Sequence, residues 1–284
     1  MRPLLIAASL IALPGLALGQ ATELSFGIYT TARDKSESAD EADDFSVATV
    51  GLRYGTSFAS GVEVIGGATY QYRFDPEEVS GNRTDDTLAS AFQLDLQLGT
   101  TRPNGVYAGG LLSVGALDAS TDTAEEAEIY VLGGEASSDA GAWTLGGQLG
   151  YLVSEADDNE GLDNASFGVV YAERPFGGPL PGIFDVAFTY ALGEQDSDSG
   201  GDDLDYLALS VGARFDIPPI GLATGSSVDI ALGYTSITED SGGSTEIEDT
   251  TIAATYTLRF GNDGRLRRGL PSFTAWSGAV HAVD

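Results

Sequence analysis

The chain has 284 residues, and its 43 acidic side chains against 13 basic ones give a formal net charge of −30, which argues against a nucleic-acid partner because phosphate would be repelled. The sequence contains no Cys, which excludes disulfides and thiolate metal sites. Its one His, His281, lies four residues from the end, so Ser–His and Cys–His chemistry is excluded from the body of the chain and we expect no enzyme.

The first 19 residues have the features of an export signal. Met1-Arg2-Pro3 is a short cationic start, Leu4 to Leu18 is an apolar run, and Ala17-Leu18-Gly19 supplies small residues for a signal peptidase. The run is shorter than the roughly 20 apolar residues of a membrane-spanning helix. We therefore predict a cleaved signal peptide at 1–19, and the rest of the chain, which has no second long apolar stretch, is either soluble or a β-barrel.

Twelve segments follow in which every second residue is apolar or aromatic, the period of a β-strand. Most are about as long as the 9–11 residues that a tilted strand needs to cross a bilayer. Their number is even. They lie at approximately 22–31, 45–58, 62–74, 87–98, 106–117, 128–136, 142–153, 165–173, 183–193, 206–215, 226–237 and 250–260.

The connections between these segments alternate in length and charge. Numbered along the chain, the odd connections alternate with the even ones. The six odd connections (32–44, 75–86, 118–127, 154–164, 194–205 and 238–249) hold 31 of the 43 acidic residues, whereas the even connections hold only Asp139 and Asp216. Long loops on one rim and short turns on the other are typical of outer-membrane barrels. The sequence thus predicts an all-β fold, a transmembrane antiparallel up-and-down barrel of about 12 strands within 20–260, with both termini at the short-turn rim.

The last predicted strand ends in Tyr256, Leu258 and Phe260, separated by single residues. It resembles the closing strand of Gram-negative outer-membrane β-barrels of the porin type, in which such a segment acts as the assembly signal. The resemblance implies a location in the cell outer membrane, with extracellular loops and periplasmic termini. It also implies outer-membrane lipid and the barrel-assembly machinery as partners.

Such barrels usually end at the closing Phe, whereas 24 residues follow Phe260 here. Gly261-Asn262-Asp263-Gly264 are strong turn formers, so we predict that the chain leaves the barrel there and that 261–284 form a periplasmic C-terminal tail. The tail carries a basic cluster, Arg265, Arg267 and Arg268. This cluster has three possible fates: docking on anionic lipid, folding back into an acidic lumen as a plug, or remaining disordered.

If the apolar residues face lipid, the alternate residues face the interior, and their charges lie near the short-turn ends of the strands. Hairpin register predicts two cross-strand pairs, Arg53 with Glu63 and Arg214 with Asp229, and barrel closure brings Glu23 near Arg259. The charges form either a constriction that sets ion selectivity in a water-filled pore or an ion-paired filling of a narrow interior. The predicted lumen set is Glu23, Arg53, Glu63, Asp95, Glu135, Arg174, Asp185, Arg214, Asp229 and Arg259.

The acidic connections offer hard oxygen ligands for Ca²⁺ or Mg²⁺. The best spaced are Asp196, Asp198, Asp202, Asp203 and Asp205. No connection matches a complete calcium-loop pattern, so we expect no cofactor and at most loosely bound divalent cations.

Two functions remain. The first is a passive channel for ions or small solutes. The acidic long connections at its outer rim would make this channel prefer cations. The second is a closed-barrel surface structural or adhesion protein whose acidic loops bind cations. The sequence leaves the transported solute and the oligomeric state open.

Overall fold

The structure is a computed structural model and describes residues 20–35, 45–73, 88–119, 127–155, 162–195, 202–240, 244–261 and 266–268. Regular structure in these residues consists of β-strands alone. No helix in this part of the chain is long and apolar enough to cross a membrane. The predicted signal peptide at 1–19 lies outside the described residues.

Twelve strands alternate in direction along the chain. They are β1 (Ala21–Lys35), β2 (Phe45–Ser57), β3 (Val62–Arg73), β4 (Leu88–Thr101), β5 (Tyr107–Ala119), β6 (Ala127–Ala140), β7 (Trp143–Glu155), β8 (Leu162–Phe176), β9 (Gly182–Gln195), β10 (Asp202–Ile217), β11 (Gly225–Asp240) and β12 (Ser244–Gly261). The predicted strand number is confirmed.

Each strand pairs with its neighbours in sequence, and β1 pairs antiparallel with β12, which closes the barrel. At the seam Ala21 lies opposite Gly261 and Lys35 opposite Ile247, so the two strands pair over the whole length of β1. Closure leaves no strand edge unpaired, which is the condition for a sheet to lie in lipid. The fold class predicted from the sequence, an antiparallel up-and-down barrel, is confirmed.

The five short turns all lie at one rim of the barrel, together with the start of β1 and the end of β12. Gly61 and Gly105 occupy two of these turns with φ of 80° and 82°, a left-handed conformation that glycine adopts without steric cost. In the second turn the Arg102 amide donates to the Val106 carbonyl at 2.8 Å. We call this rim the short-turn end, and the opposite rim the long-connection end.

The outer face of the barrel carries a belt of exposed apolar side chains. Leu149 and Leu132 are 74% and 67% exposed, and every strand from β1 to β12 contributes at least one large apolar residue to this face. Water-soluble proteins rarely expose a continuous apolar surface of this size. The belt is the surface that a barrel presents to lipid.

Three tyrosines mark the long-connection side of this belt. The hydroxyl of Tyr190 donates to Asp205 at 3.1 Å, that of Tyr130 donates to Glu128, and that of Tyr234 donates to Glu248. Aromatic rings with a polar tip settle at the boundary between apolar and aqueous phases. The outer face thus changes from apolar to acidic at this level.

Several strands extend further toward the long-connection end than their apolar pattern predicts. β12 begins at Ser244 rather than near 250, and β10 begins at Asp202 rather than near 206. The main-chain ladder continues past the apolar belt because its hydrogen bonds do not depend on what the side chains face. Alternation in sequence therefore reveals the belt and misses the acidic strand ends beyond it.

Candidate functional site

Charged side chains crowd the lumen toward the short-turn end. Eight carboxylates and three arginines point inward there from the strands. We call this set the charged mouth; it consists of Glu23, Arg53, Glu63, Asp95, Glu135, Glu173, Asp185, Arg214, Asp216, Asp229 and Arg259. Nine of the ten predicted lumen residues belong to it. Glu173 and Asp216 were missed by the sequence analysis.

Arginines of the charged mouth pair with carboxylates on neighbouring strands. Arg214 lies opposite Asp229 in the β10–β11 register, and its Nε is 2.5 Å from Asp229 Oδ1, so these two residues are the cross-strand neighbours expected from the hairpin. Arg259 is directly opposite Glu23 at the barrel seam. Its guanidinium, however, donates to Asp216 at 3.1 Å.

Arg53 pairs with a different carboxylate from the one predicted. The β2–β3 turn places Ser57 opposite Glu63, so Arg53 lies opposite Gly67 and is too far along the strand to reach Glu63. On its other side Arg53 lies opposite Glu23, and the two charged groups are 3.8 Å apart. The predicted Arg53–Glu63 pair is therefore replaced by Arg53–Glu23.

Arg174 is the one predicted lumen residue that lies on the outer face. The β8–β9 register pairs Glu173 with Asp185, which makes Glu173 the inward residue and turns Arg174 outward. There its guanidinium lies 5.5 Å from the ring centroid of Trp143, whose ring packs edge-on against Phe184. Arg174 thus belongs to the aromatic rim of the belt and not to the lumen.

A segment from beyond the last strand enters the charged mouth. Leu266, Arg267 and Arg268 lie inside the barrel, and the Leu266 amide donates to Glu23 at 3.2 Å. The Leu266 side chain packs against Gly55, where any Cβ would overlap it. These three residues lie where the plug allowed by the basic cluster would lie, whereas 262–265 and 269–284 are outside the described residues and the periplasmic tail stays a prediction.

Arg267 is the most extensively bound of the three. Its guanidinium donates to Glu63 at 3.1 Å, to Thr101 at 2.9 Å and to Ser137 at 3.3 Å. It also lies 3.7 Å from the ring centroid of Tyr107. One side chain of the tail thereby connects strands β3, β4, β5 and β6.

Arg268 binds the opposite wall of the barrel. Its guanidinium is 3.5 Å from Asp185 and 5.4 Å from the ring centroid of Tyr171. Its carbonyl oxygen accepts a hydrogen bond of 2.8 Å from the side-chain amide of Gln97. The tail thus spans the mouth from β4 to β9, with the two arginines held at separate positions.

Glycines on the adjoining strands make room for both tyrosine rings. A Cβ at Gly99 would overlap the ring and hydroxyl of Tyr107, and a Cβ at Gly146 would overlap the ring of Tyr171. Because these positions lack side chains, each ring lies flat across its neighbouring strand and offers a face to the lumen. The alternating pattern does not reveal this arrangement, since neither Gly nor Tyr disturbs it.

The lumen changes character toward the long-connection end, where the buried apolar residues form one continuous group. Ile129, Leu117 and Leu152 have no exposed surface at all. Nine consecutive strands contribute to this apolar cluster, which consists of Ala91, Leu117, Ala127, Ile129, Val131, Leu152, Leu162, Ala165, Phe167, Val169, Ala191, Leu204, Tyr206, Ile237 and Ile247. This part of the barrel is therefore lined largely by buried apolar side chains.

Polar inward-facing residues on β1, β2, β3 and β12 border the apolar cluster. Arg33 donates two hydrogen bonds of 2.9 Å to the carboxylate of Asp249. The guanidinium groups of Arg33 and Arg73 lie 5.5 and 5.3 Å from the ring centroid of Phe45. Arg33, which the sequence placed in a solvent-exposed connection, is therefore part of the barrel wall.

The remaining predicted residues occupy the outer surface or lie outside the described residues. Tyr256, Leu258 and Phe260 are on the outer face of β12, and their role as an assembly signal stays a prediction. Of the candidate metal ligands, Asp202, Asp203 and Asp205 lie on β10, whereas 196 and 198 are not described. Within the described ranges no group of three or more His, Cys, Asp or Glu is placed to hold a metal ion.

Solved structures similar to this barrel are outer-membrane proteins. An outer membrane channel from Pseudomonas putida F1 superposes with a TM-score of 0.59 at 11% identity, covering 87% of this chain and 97% of that one. The monoaromatic hydrocarbon channel CymD gives 0.49 at 10% identity, covering 87% and 90%. A BenF-like porin from Pseudomonas fluorescens Pf-5 gives 0.42 at 11% identity, covering 87% and 100%.

No family model matches the sequence, and no curated protein matches it either. We base the fold assignment on the first of the three structures and on the closed barrel itself. The chain has the fold of Gram-negative outer-membrane β-barrels, so the resemblance inferred from its closing strand is confirmed at the level of fold.

Proposed function

We propose that the protein is a porin-like channel of the outer membrane through which ions or small solutes diffuse passively. The observation that carries this proposal is the space inside the charged mouth. Besides the inward side chains of twelve strands, the lumen holds a further stretch of main chain, Leu266 to Arg268. When that segment leaves, it frees the volume of three residues in the lumen.

The outer surface and the connections support the location and orientation that we propose. An apolar belt bounded by tyrosines fits a bilayer, and outer-membrane barrels place long loops outside the cell and short turns in the periplasm. We accordingly place the long connections outside and the charged mouth, with both termini, in the periplasm. Cleavage of residues 1–19 as an export signal belongs to the same proposal.

The described conformation is closed in two places. The tail fills the charged mouth, and the apolar cluster fills the lumen above it. Conduction therefore requires the tail to withdraw and some side chains of the cluster to change rotamer. The apolar cluster is also the observation that favours the second candidate, a permanently closed barrel that acts through its loops.

We further propose that the open channel prefers cations. Eight carboxylates face three arginines on the strands of the charged mouth, and the tail offsets part of this excess with Arg267 and Arg268. A lumen with net negative charge concentrates cations, and the preference weakens as salt shortens the Debye length from about 30 Å at 0.01 M to about 3 Å at 1 M.

Planar-bilayer recordings test both proposals. We expect the double variant Arg267→Ala/Arg268→Ala to conduct in longer openings than the unmodified chain, with a reversal potential across a salt gradient that favours cations. Arg102→Ala is the matched control. Arg102 lies in an exposed turn at the same rim, so this substitution removes a positive charge outside the lumen. A folded double variant that never conducts supports the closed-barrel function, and a preference for anions contradicts the proposed selectivity.

A further inference from the structure

Each arginine of the tail is held by the same two elements, a carboxylate and the face of a tyrosine ring. Arg267 has Glu63 and Tyr107, and Arg268 has Asp185 and Tyr171. A planar, delocalised cation bonds to a carboxylate through its edge and stacks on an aromatic ring through its face. An ammonium group lacks that planar geometry, so the repeated combination favours guanidinium over ammonium.

Both elements belong to the barrel wall and not to the tail. Tyr107 extends across Gly99 and Gly109, and Gly109 lies opposite Glu135 in the β5–β6 register. Tyr171 extends across Gly146 in the same way. Both rings are therefore positioned by neighbouring strands as well as by the tail.

We propose that the charged mouth is a binding site for guanidinium-bearing cations, and that Arg267 and Arg268 occupy it in cis. Glu63 with Tyr107 forms one half of the site, and Asp185 with Tyr171 forms the other. A small cation that carries a guanidinium group enters either half when the tail withdraws. The site exists whether or not the lumen conducts, so it is tested by binding and not by current.

The covalent link determines how strongly such a cation must compete. Arg267 follows Gly261, the last residue of β12, by a short stretch of chain, and a tether of this length gives an effective concentration in the millimolar range or above. A free ligand at micromolar concentration therefore scarcely displaces the tail. Removing the two guanidinium groups exposes the site to ligands in solution.

The first test measures binding of agmatine, a guanidinium-bearing amine, to the purified barrel in detergent. We expect saturable binding to Arg267→Ala/Arg268→Ala that is at least tenfold weaker for the unmodified chain. We also expect at least tenfold weaker binding of 1,5-diaminopentane, which has a similar charge but no guanidinium. Adding Glu63→Gln and Asp185→Asn to the double variant should abolish agmatine binding. Equal affinity for the two amines, or no binding to a folded double variant, overturns the proposal.

The second test follows the tail in the otherwise unmodified chain. The sequence has no Cys, so Leu266→Cys provides a single thiol, placed where Leu266 packs against Gly55. We expect millimolar agmatine to raise its rate of maleimide labelling several-fold and 1,5-diaminopentane at equal concentration to leave the rate unchanged. A labelling rate that agmatine does not alter, or that both amines raise equally, contradicts occupation of the site in cis.

Discussion

The two halves of the lumen are enclosed by the same twelve strands and are filled in opposite ways. Toward the long connections the interior is an apolar cluster in which Leu117, Ile129 and Leu152 are completely buried. Toward the short turns it is a set of ion pairs, with Arg267 and Arg268 of the tail among them. The first half resembles the core of a water-soluble protein, and the second resembles a binding site. Burial of apolar side chains and pairing of charged ones are thereby separated along one axis.

The largest expected effect tests whether the apolar cluster stabilises the barrel. Leu152→Ala removes a fully buried side chain and leaves a cavity, and we expect it to lower the free energy of unfolding by about 2–5 kcal/mol. Leu149→Ala, on the outer face of the same strand, should cost less, because lipid or detergent fills the space. Urea titrations of the refolded proteins measure both values. Equal losses would contradict an interior core.

The second effect concerns the charged half. Glu63→Gln keeps the shape of the side chain but removes the charge that binds Arg267, and hydrogen bonds to charged groups contribute about 1.5–3 kcal/mol. We expect the maleimide labelling rate of a Leu266→Cys background to rise about tenfold or more. Asp139→Asn is the control, since Asp139 lies at the same rim and accepts its hydrogen bond from Thr144. A comparable rise in the control would show that general charge, and not this pair, holds the tail.

A smaller effect tests whether the wall of the charged half is shaped for the tail. Gly99→Ala places a methyl group where the Tyr107 ring lies, so the ring must tilt away from Arg267. We expect a several-fold faster labelling rate in the same background. Gly110→Ala is the matched control, because the atom nearest to its new methyl group is 3.9 Å away. Equal labelling rates in Gly99→Ala and Gly110→Ala would contradict a wall shaped for the tail.

The smallest effect belongs to neither half of the lumen. Tyr190→Phe removes a hydroxyl that donates to Asp205 on the exposed outer face. Solvent competes for both groups, so this hydrogen bond contributes little to stability. We expect no resolvable change in the free energy of unfolding in the urea titration and no change in tail labelling. A large loss would show that the boundary tyrosines contribute as much as the apolar cluster.

The strand number and the closure were predictable because alternation and the contrast between connections are both properties of a barrel in lipid. The charged mouth was largely predictable for the same reason. A charged residue at an inward-facing position near a short turn must lie in the lumen at the short-turn end. Arg214 and Asp229 show this well, because they lie opposite each other in a single hairpin. Errors arose where phase or register had to be known to one residue, as with Arg174 and with the pairing of Arg53.

The apolar cluster and the tail were not predictable from alternation. In β6 the run Ile129-Tyr130-Val131-Leu132 is apolar on both faces, so the inward Ile129 and Val131 are hidden among residues that face lipid. Such continuous apolar runs are the signal that could have revealed an apolar interior. The tail has no period at all, and only its positive charge in an acidic chain suggested where it could bind.

The position of the tail in the chain has a consequence for the order of assembly. Leu266 to Arg268 follow the strand that closes the barrel, and their partners are spread over β1, β2, β3, β4, β5, β6, β8 and β9. These partners line opposite walls of the barrel, and only a sheet curved into a ring brings them together around three consecutive residues. The tail is therefore the last segment to dock, and because it binds only the completed ring, its binding free energy favours the sealed seam between β1 and β12 over any open form.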